Sequence, residues 1–86
     1  MKILVTGCAG FIGYHLCSKL LENKKVRLYG IDNLNNYYDV NLKKSRLKIL
    51  KKYKNFIFSR INITNKKKLI DNYKNKKIDF IIHLAA

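Results

Sequence analysis

Apolar residues recur along this chain with two alternating periods. Short continuous apolar runs, typical of strands buried on both faces of a parallel sheet, occupy residues 2–6, 26–31, 56–61 and 78–84. Between these runs apolar residues return at helical spacing, which predicts helices over residues 11–23, 40–52 and 65–75. The order β-α-β-α-β-α-β predicts an α/β fold with a doubly wound parallel sheet of four strands and three crossover helices.

The helix starts can also be assigned from the sequence. Asp39 precedes the second helix and Thr64 precedes the third, and both residue types are favoured as N-caps. In the third helix the apolar residues Leu69, Ile70 and Tyr73 form the predicted inner face. The fourth strand is predicted to be buried beside the first, although within 86 residues it would leave apolar surface and a sheet edge open.

The first strand runs into a glycine-rich turn, VTGCAGFIG at residues 5–13, that opens the first helix. Gly7 suits a tight turn, Gly10 lets the backbone approach a pyrophosphate, and Gly13 allows the helix to pack closely on the strand. The helix N-terminus adds free N–H groups and a partial positive charge. This context predicts a dinucleotide-binding turn, in preference to a turn built only for packing.

Asp32 ends the second strand, nineteen residues beyond Gly13. A carboxylate at this place can accept hydrogen bonds from both ribose hydroxyls of NAD, and it repels the 2′-phosphate of NADP. The alternative is an aspartate that only caps a turn. Together with the glycine turn, Asp32 favours NAD as the cofactor of a Rossmann-type domain.

Three segments now identify a resemblance that covers essentially all 86 residues: VTGCAGFIG, GIDNLNNYYDVNLKKSRL and HLAA. Together they resemble the extended short-chain dehydrogenase/reductases, and among these the NAD-dependent epimerase/dehydratase family of nucleotide-sugar enzymes. The middle segment is most similar to the UDP-glucuronate 4-epimerases.

The resemblance implies which residues hold NAD. Those of the pyrophosphate turn are Gly7, Gly10, Phe11, Ile12 and Gly13. The residues at the adenosine ribose are Asp32, Asn33 and Asn36, and the residues at the adenine are Asn62 and Ile63. The residues near the nicotinamide are Leu84, Ala85 and Ala86. Asn62 departs from the family, which usually has Asp here: its amide oxygen can still accept from the adenine amino group, but the negative charge is lost.

The family's catalytic residues, a Ser or Thr and a Tyr-x-x-x-Lys pair, lie beyond the fourth strand, so we expect none in this chain. Tyr73 and Lys77 have the pair's spacing, but they precede the fourth strand and Tyr73 serves the packing face of a helix. We therefore predict a chance match. His83 is expected to be a buried strand histidine with a structural role, and no metal site is expected.

The resemblance implies an enzyme that interconverts UDP-glucuronate and UDP-galacturonate by transient oxidation at C4 of the sugar and return of the hydride. The alternatives are a 4,6-dehydratase or decarboxylase of the same family and a non-catalytic NAD-binding scaffold. We expect residues 1–86 to be the N-terminal part of an NAD-binding Rossmann domain, with the rest of that domain and a substrate domain absent. Alone they are expected to be inactive, whereas the full-length protein would bind a nucleotide sugar as a homodimer.

The formal net charge of +14 raises nucleic acid as an alternative partner. The lysines, however, fall mostly on predicted helix surfaces and turns, including Lys43, Lys44 and Lys48, where they would face solvent. We therefore expect neither nucleic acid nor a membrane as partner. Cys8 and Cys17 match no zinc or redox spacing and are expected to be reduced, small apolar residues of a cytoplasmic protein.

Overall fold

The computed structural model describes residues 1–34 and 40–85. Strands and helices alternate along the chain in the predicted order: β1 (Lys2–Thr6), α1 (Phe11–Leu21), β2 (Arg27–Asp32), α2 (Val40–Leu50), β3 (Phe56–Arg60), α3 (Lys66–Tyr73) and β4 (Phe80–His83). The predicted bounds differ from the observed ones by at most two residues at an end. The α/β fold class is confirmed.

All neighbouring strands are parallel, and their order in the sheet is β3-β2-β1-β4. Val5 of β1 is in register with Gly30 of β2 on one side and with Ile82 of β4 on the other. The chain thus moves outward from β1 to β3 and then returns to the far side of β1. This is the doubly wound topology that the sequence predicts, with a switch point between β1 and β4.

The helices lie on opposite faces of the sheet because right-handed crossovers that run in opposite directions along a sheet cover opposite faces. α1 and α2 cover one face, here called the α1–α2 face, and α3 covers the other, here called the α3 face. Buried residues of the α1–α2 face include Ile3, Val5, Cys17, Leu21, Leu28, Leu47 and Leu50. Buried residues of the α3 face are Leu4, Tyr29, Ile31 and Ile61, against which Leu69, Tyr73 and Ile78 pack.

The start of α3 corrects the sequence prediction. Asn65 is the N-cap, and its side-chain oxygen accepts a hydrogen bond from the Lys68 N–H at 3.1 Å. Thr64, the predicted cap, instead donates its N–H and hydroxyl to the Asn62 side chain. Ile70, predicted to face inward, is 59% exposed. The predicted cap of α2, Asp39, lies outside the described residues.

The prediction that β4 is a buried strand is wrong. Phe80 and Ile81 are 56% and 66% exposed, and His83 is also exposed. β4 pairs only with β1 and forms one edge of the described sheet, so the second expectation, an open edge with exposed apolar surface, is confirmed.

Both cysteines are free, buried thiols: Cys8 lies in the β1–α1 turn and Cys17 on the inner side of α1. Burial raises the pKa of Cys17 to about 12 and raises that of Cys8 further. Each therefore behaves as a small apolar residue, as predicted. In the part of the chain that the structure describes, no helix has the length and apolar character needed to cross a bilayer.

Candidate functional site

A groove of about 960 Å³ lies at the carboxyl ends of the strands. It is lined by the β1–α1 turn, the ends of β2, β3 and β4, and one side of α2. Every predicted cofactor residue that the structure describes lines this groove: Gly7, Gly10, Phe11, Ile12, Gly13, Asp32, Asn33, Asn62, Ile63, Leu84 and Ala85. The other two, Asn36 and Ala86, lie outside the described residues.

Two glycines of the turn are required by the fold itself. Gly7 has a φ of 75°, a backbone conformation that residues with a Cβ rarely adopt. Its N–H donates to the Ile31 carbonyl at 2.8 Å. At Gly13 an added Cβ would lie 2.1 Å from the Gly7 carbonyl oxygen. The tight turn and the close packing of helix on strand, both predicted from sequence, are observed.

Gly10 is different, because the fold does not require a glycine there. Its φ is −70°, and an added Cβ would only reach the edge of an ordinary contact, 3.4 Å from the Gly7 oxygen. Gly10 is the N-cap of α1 and has no side chain with which to cap the helix, and the first turn of α1 holds no acidic residue. The N–H groups of the first turn therefore open onto the groove with the partial positive charge of the helix N-terminus, which suits a bound phosphate.

Asp32 is held from three directions. Its Oδ2 accepts the Ala9 N–H at 3.1 Å, while its Oδ1 accepts the Leu34 N–H at 2.8 Å and the Lys43 ammonium at 3.2 Å. The side chain is only 3% exposed. The carboxylate thus caps its own turn, which is the alternative considered from sequence, and also fixes the β1–α1 turn and α2 at the groove.

Two basic residues of α2 line the groove and were missed as site residues. Lys43 was predicted to lie on a solvated surface, but it is buried because it forms the ion pair with Asp32. Arg46 donates from Nη1 to the Ala9 carbonyl at 3.1 Å, and its guanidinium lies 5.9 Å from the Phe11 ring centroid. Their spacing of three residues puts both on one side of α2, and their contacts with Asp32 and Ala9 show that this side faces the glycine turn. The spacing signals a shared side of the helix and leaves open which side that is.

At the end of β3 the side chain of Asn62 is engaged within its own turn. Its Oδ1 accepts the Thr64 N–H at 3.0 Å and the Thr64 hydroxyl at 2.8 Å. From sequence, this oxygen was expected to face an adenine amino group. The structure directs it to Thr64 instead.

Thr6 fixes the end of β4 beside the glycine turn. Its Oγ1 accepts the backbone N–H groups of Leu84 at 3.0 Å and Ala85 at 3.3 Å, and it lies 2.7 Å from Nδ1 of His83. Because this oxygen already accepts two hydrogen bonds, its own proton points to the imidazole. His83 was expected to be buried, but it is exposed, and its contact with Thr6 holds the imidazole in place. Thr6 is a structural residue that was not predicted from the sequence.

Tyr73 and Lys77 do not line the groove. The Tyr73 ring packs edge-to-face on Tyr29 with centroids 5.8 Å apart, within the α3 face. Burial raises the pKa of the Tyr73 hydroxyl, which makes it a poorer proton donor. Lys77 lies exposed in the turn that follows α3. The packing role predicted for Tyr73 is observed.

A sequence profile of the NAD dependent epimerase/dehydratase family matches residues 3–86. Among curated proteins, the chain is 51% identical over 83 residues to a UDP-glucuronate 4-epimerase of Thermodesulfobacterium geofontis, covering 96% of this chain and 25% of that protein. It is 49% identical over 86 residues to the uncharacterised protein MJ1055 of Methanocaldococcus jannaschii, covering 99% and 26%.

Two solved structures extend the comparison. A UDP-glucuronic acid 4-epimerase from Bacillus cereus, in complex with UDP-glucuronic acid and NAD, superposes with a TM-score of 0.84 at 42% identity, covering 100% of this chain and 26% of that one. A dTDP-glucose 4,6-dehydratase from Bacillus anthracis in complex with NAD superposes with a TM-score of 0.81 at 29% identity, covering 100% and 27%. This chain thus spans about a quarter of the length of the relatives that it matches.

Proposed function

Because this chain belongs to the NAD dependent epimerase/dehydratase family, we propose that it is the N-terminal part of the NAD-binding domain of a nucleotide-sugar 4-epimerase. The observation that carries the proposal is the groove at the carboxyl ends of the strands. It gathers every described residue expected to bind cofactor, and it opens on a helix N-terminus with a glycine that the fold does not require.

The strand order supports one orientation of NAD along the groove. The pyrophosphate would lie over the end of β1, against the N–H groups of Phe11, Ile12 and Gly13. The adenosine ribose would lie at the end of β2, near Asp32 and Asn33, and the adenine at the end of β3, near Asn62 and Ile63. The nicotinamide would then point towards β4, near Leu84 and Ala85.

Lys43 and Arg46 join this proposed set. Lys43 pairs with the Asp32 carboxylate and Arg46 bonds to the Ala9 carbonyl, so the charged residues that line the groove leave one positive charge in excess, which favours the negatively charged pyrophosphate. A 2′-phosphate at the ribose would be repelled by the Asp32 carboxylate. NAD is therefore the proposed cofactor, in preference to NADP.

When bound, NAD would supply a hydride acceptor for C4 of the sugar. The residues of this chain would bind and orient the dinucleotide, and the groups that move protons on the sugar would lie outside residues 1–86. The 51% identity to a UDP-glucuronate 4-epimerase supports UDP-glucuronate as the substrate of the whole protein. The likeness to a 4,6-dehydratase favours that reaction as the second candidate. That the whole protein forms a homodimer and lies in the cytoplasm stays a prediction.

Calorimetric titration of NAD into the 86-residue chain tests the proposal. We expect saturable binding that is weakened at least tenfold by Gly10→Val, since a branched side chain at the N-cap blocks the approach of the pyrophosphate. The free energy of unfolding of this variant should change by about 1 kcal/mol or less, because an added Cβ at Gly10 would meet only the Gly7 oxygen, at 3.4 Å.

Lys19→Val is the matched control, because it introduces the same side chain on an exposed position of α1 that does not line the groove. It should bind NAD like the parent chain. Absence of saturable NAD binding, or equal affinity of the Gly10→Val variant, would contradict the proposal.

A further inference from the structure

The groove presents a hydrogen-bond donor, and no acceptor, from the side chain at the end of β3. The Asn62 Oδ1 already accepts two hydrogen bonds from Thr64, at 3.0 Å and 2.8 Å. An amide oxygen has two lone pairs, so its capacity is used. The amide nitrogen, which carries two N–H donors, is the polar atom of this side chain that is left for a ligand.

The direction of this amide is fixed by chemistry. Oxygen and nitrogen of an Asn amide are assigned from their hydrogen-bond partners, and a backbone N–H such as that of Thr64 can only donate. The atom that faces it must therefore be the oxygen. Turning the amide over would bring two donors together at 3.0 Å and would leave the Thr64 N–H without its acceptor.

The position of Asn62 relates this donor to one part of the cofactor. Asn62 is exposed, lines the groove and follows β3, which lies two strands from the glycine turn at β1. A dinucleotide with its pyrophosphate at that turn and its ribose at β2 extends its nucleobase to the end of β3. This step rests on the proposed function.

We propose that Asn62 is a specificity-determining residue that removes the preference of the groove for adenine over a 6-keto purine such as hypoxanthine. The 6-amino group of adenine is a donor and finds no acceptor on this side chain, whereas the 6-oxygen of hypoxanthine accepts from the Asn62 amide nitrogen. A carboxylate at position 62 does the reverse. One of its oxygens replaces the acceptor for Thr64, and the other accepts from the amino group of adenine and repels a keto oxygen.

The test compares the dissociation constants of NAD and of nicotinamide hypoxanthine dinucleotide, measured by calorimetry on the chain and on its Asn62→Asp variant. The chain itself should bind the hypoxanthine dinucleotide at least as tightly as NAD. In Asn62→Asp the ratio of the two constants should shift about tenfold towards NAD, the discrimination expected of one charge-assisted hydrogen bond at an exposed site.

Asn65→Asp is the matched control. It makes the same chemical change three residues later, at an N-cap that does not line the groove, and it keeps the acceptor for the Lys68 N–H. This variant should leave the ratio unchanged, and circular dichroism should show both variants folded.

The outcomes separate this inference from the proposed function. If neither dinucleotide binds, both fail. If both bind but the chain itself favours NAD tenfold or more, or if Asn62→Asp leaves the ratio unchanged, only the role of Asn62 is overturned.

Discussion

The two faces of the sheet are covered to very different degrees. In the described residues the α1–α2 face buries twelve apolar residues, whereas the α3 face buries four, and α3 itself buries none. The topology explains the difference, because two outward crossovers place two helices on one face while a single return crossover covers the other. The glycine turn leads directly into α1, so the candidate site is anchored to the better-packed half of the molecule.

The test with the largest expected effect on stability truncates one side chain on each face. Leu28 is fully buried on the α1–α2 face, and Ile81 is 66% exposed on β4. We expect Leu28→Ala to lower the free energy of unfolding by about 3 kcal/mol, since it leaves a cavity, and Ile81→Ala to lower it by less than about 0.5 kcal/mol. Urea unfolding followed by circular dichroism measures both. Equal losses would show that the two faces contribute alike.

A second test concerns charge. Lys43→Met should lower the free energy of unfolding by about 2 kcal/mol, because it leaves the Asp32 carboxylate buried without its cation. The loss stays moderate because Asp32 keeps two backbone N–H donors. The control is Lys19→Met, which breaks the exposed pair with Glu22 and should change stability by less than about 0.5 kcal/mol. A Lys43→Met variant as stable as this control would mean that the buried pair is not needed.

A third test uses thiol chemistry. Cys8 and Cys17 lie on the α1–α2 face, and burial raises the pKa of Cys17 to about 12 and that of Cys8 further. At pH 8 both should react with DTNB at least a hundredfold more slowly than a cysteine introduced by Ile81→Cys on the open strand, because the thiolate is the reactive form. Comparable rates for native and introduced thiols would contradict the contrast between the faces.

The same burial predicts a pH dependence. A thiol whose pKa is raised by folding holds its proton in the folded state, so its contribution to stability is fully present below its usual pKa of about 8.5. The contribution falls as pH rises above that value, and for Cys17 the fall continues to about 12. Cys17→Ala should therefore lose less stability between pH 8 and pH 10 than the parent chain does. Identical slopes for the two chains would overturn this assignment.

Local patterns predicted most of the fold and the location of the site. The two periods of apolar residues identified every element, and the glycine spacing with Asp32 located the groove. Both signals are carried by neighbouring residues. The capping residue of α3 was predicted wrongly because Thr64 donates its N–H and its hydroxyl to Asn62, and Asn65 caps the helix instead.

What was missed depends on contacts between distant segments. Burial of Lys43 requires Asp32 on another element, and neither composition nor periodicity reports such a pair. The exposure of β4 depends on what lies beside it in the sheet, since the same apolar run is buried in a central strand and open at an edge. Asn62 was recognised as a departure from its family, but the direction of its amide follows only from the position of Thr64.

The contact at Gly13 has a consequence for how this turn can change over generations. The atom that an added Cβ would meet, at 2.1 Å, is a backbone oxygen, that of Gly7. Replacing a neighbouring side chain with a smaller one removes no backbone atom, so a side chain at position 13 can be accommodated only if the backbone of the turn or of α1 shifts. Such a shift would move the N–H groups of the first helical turn, and a substitution at Gly13 would therefore alter the groove without touching any groove side chain.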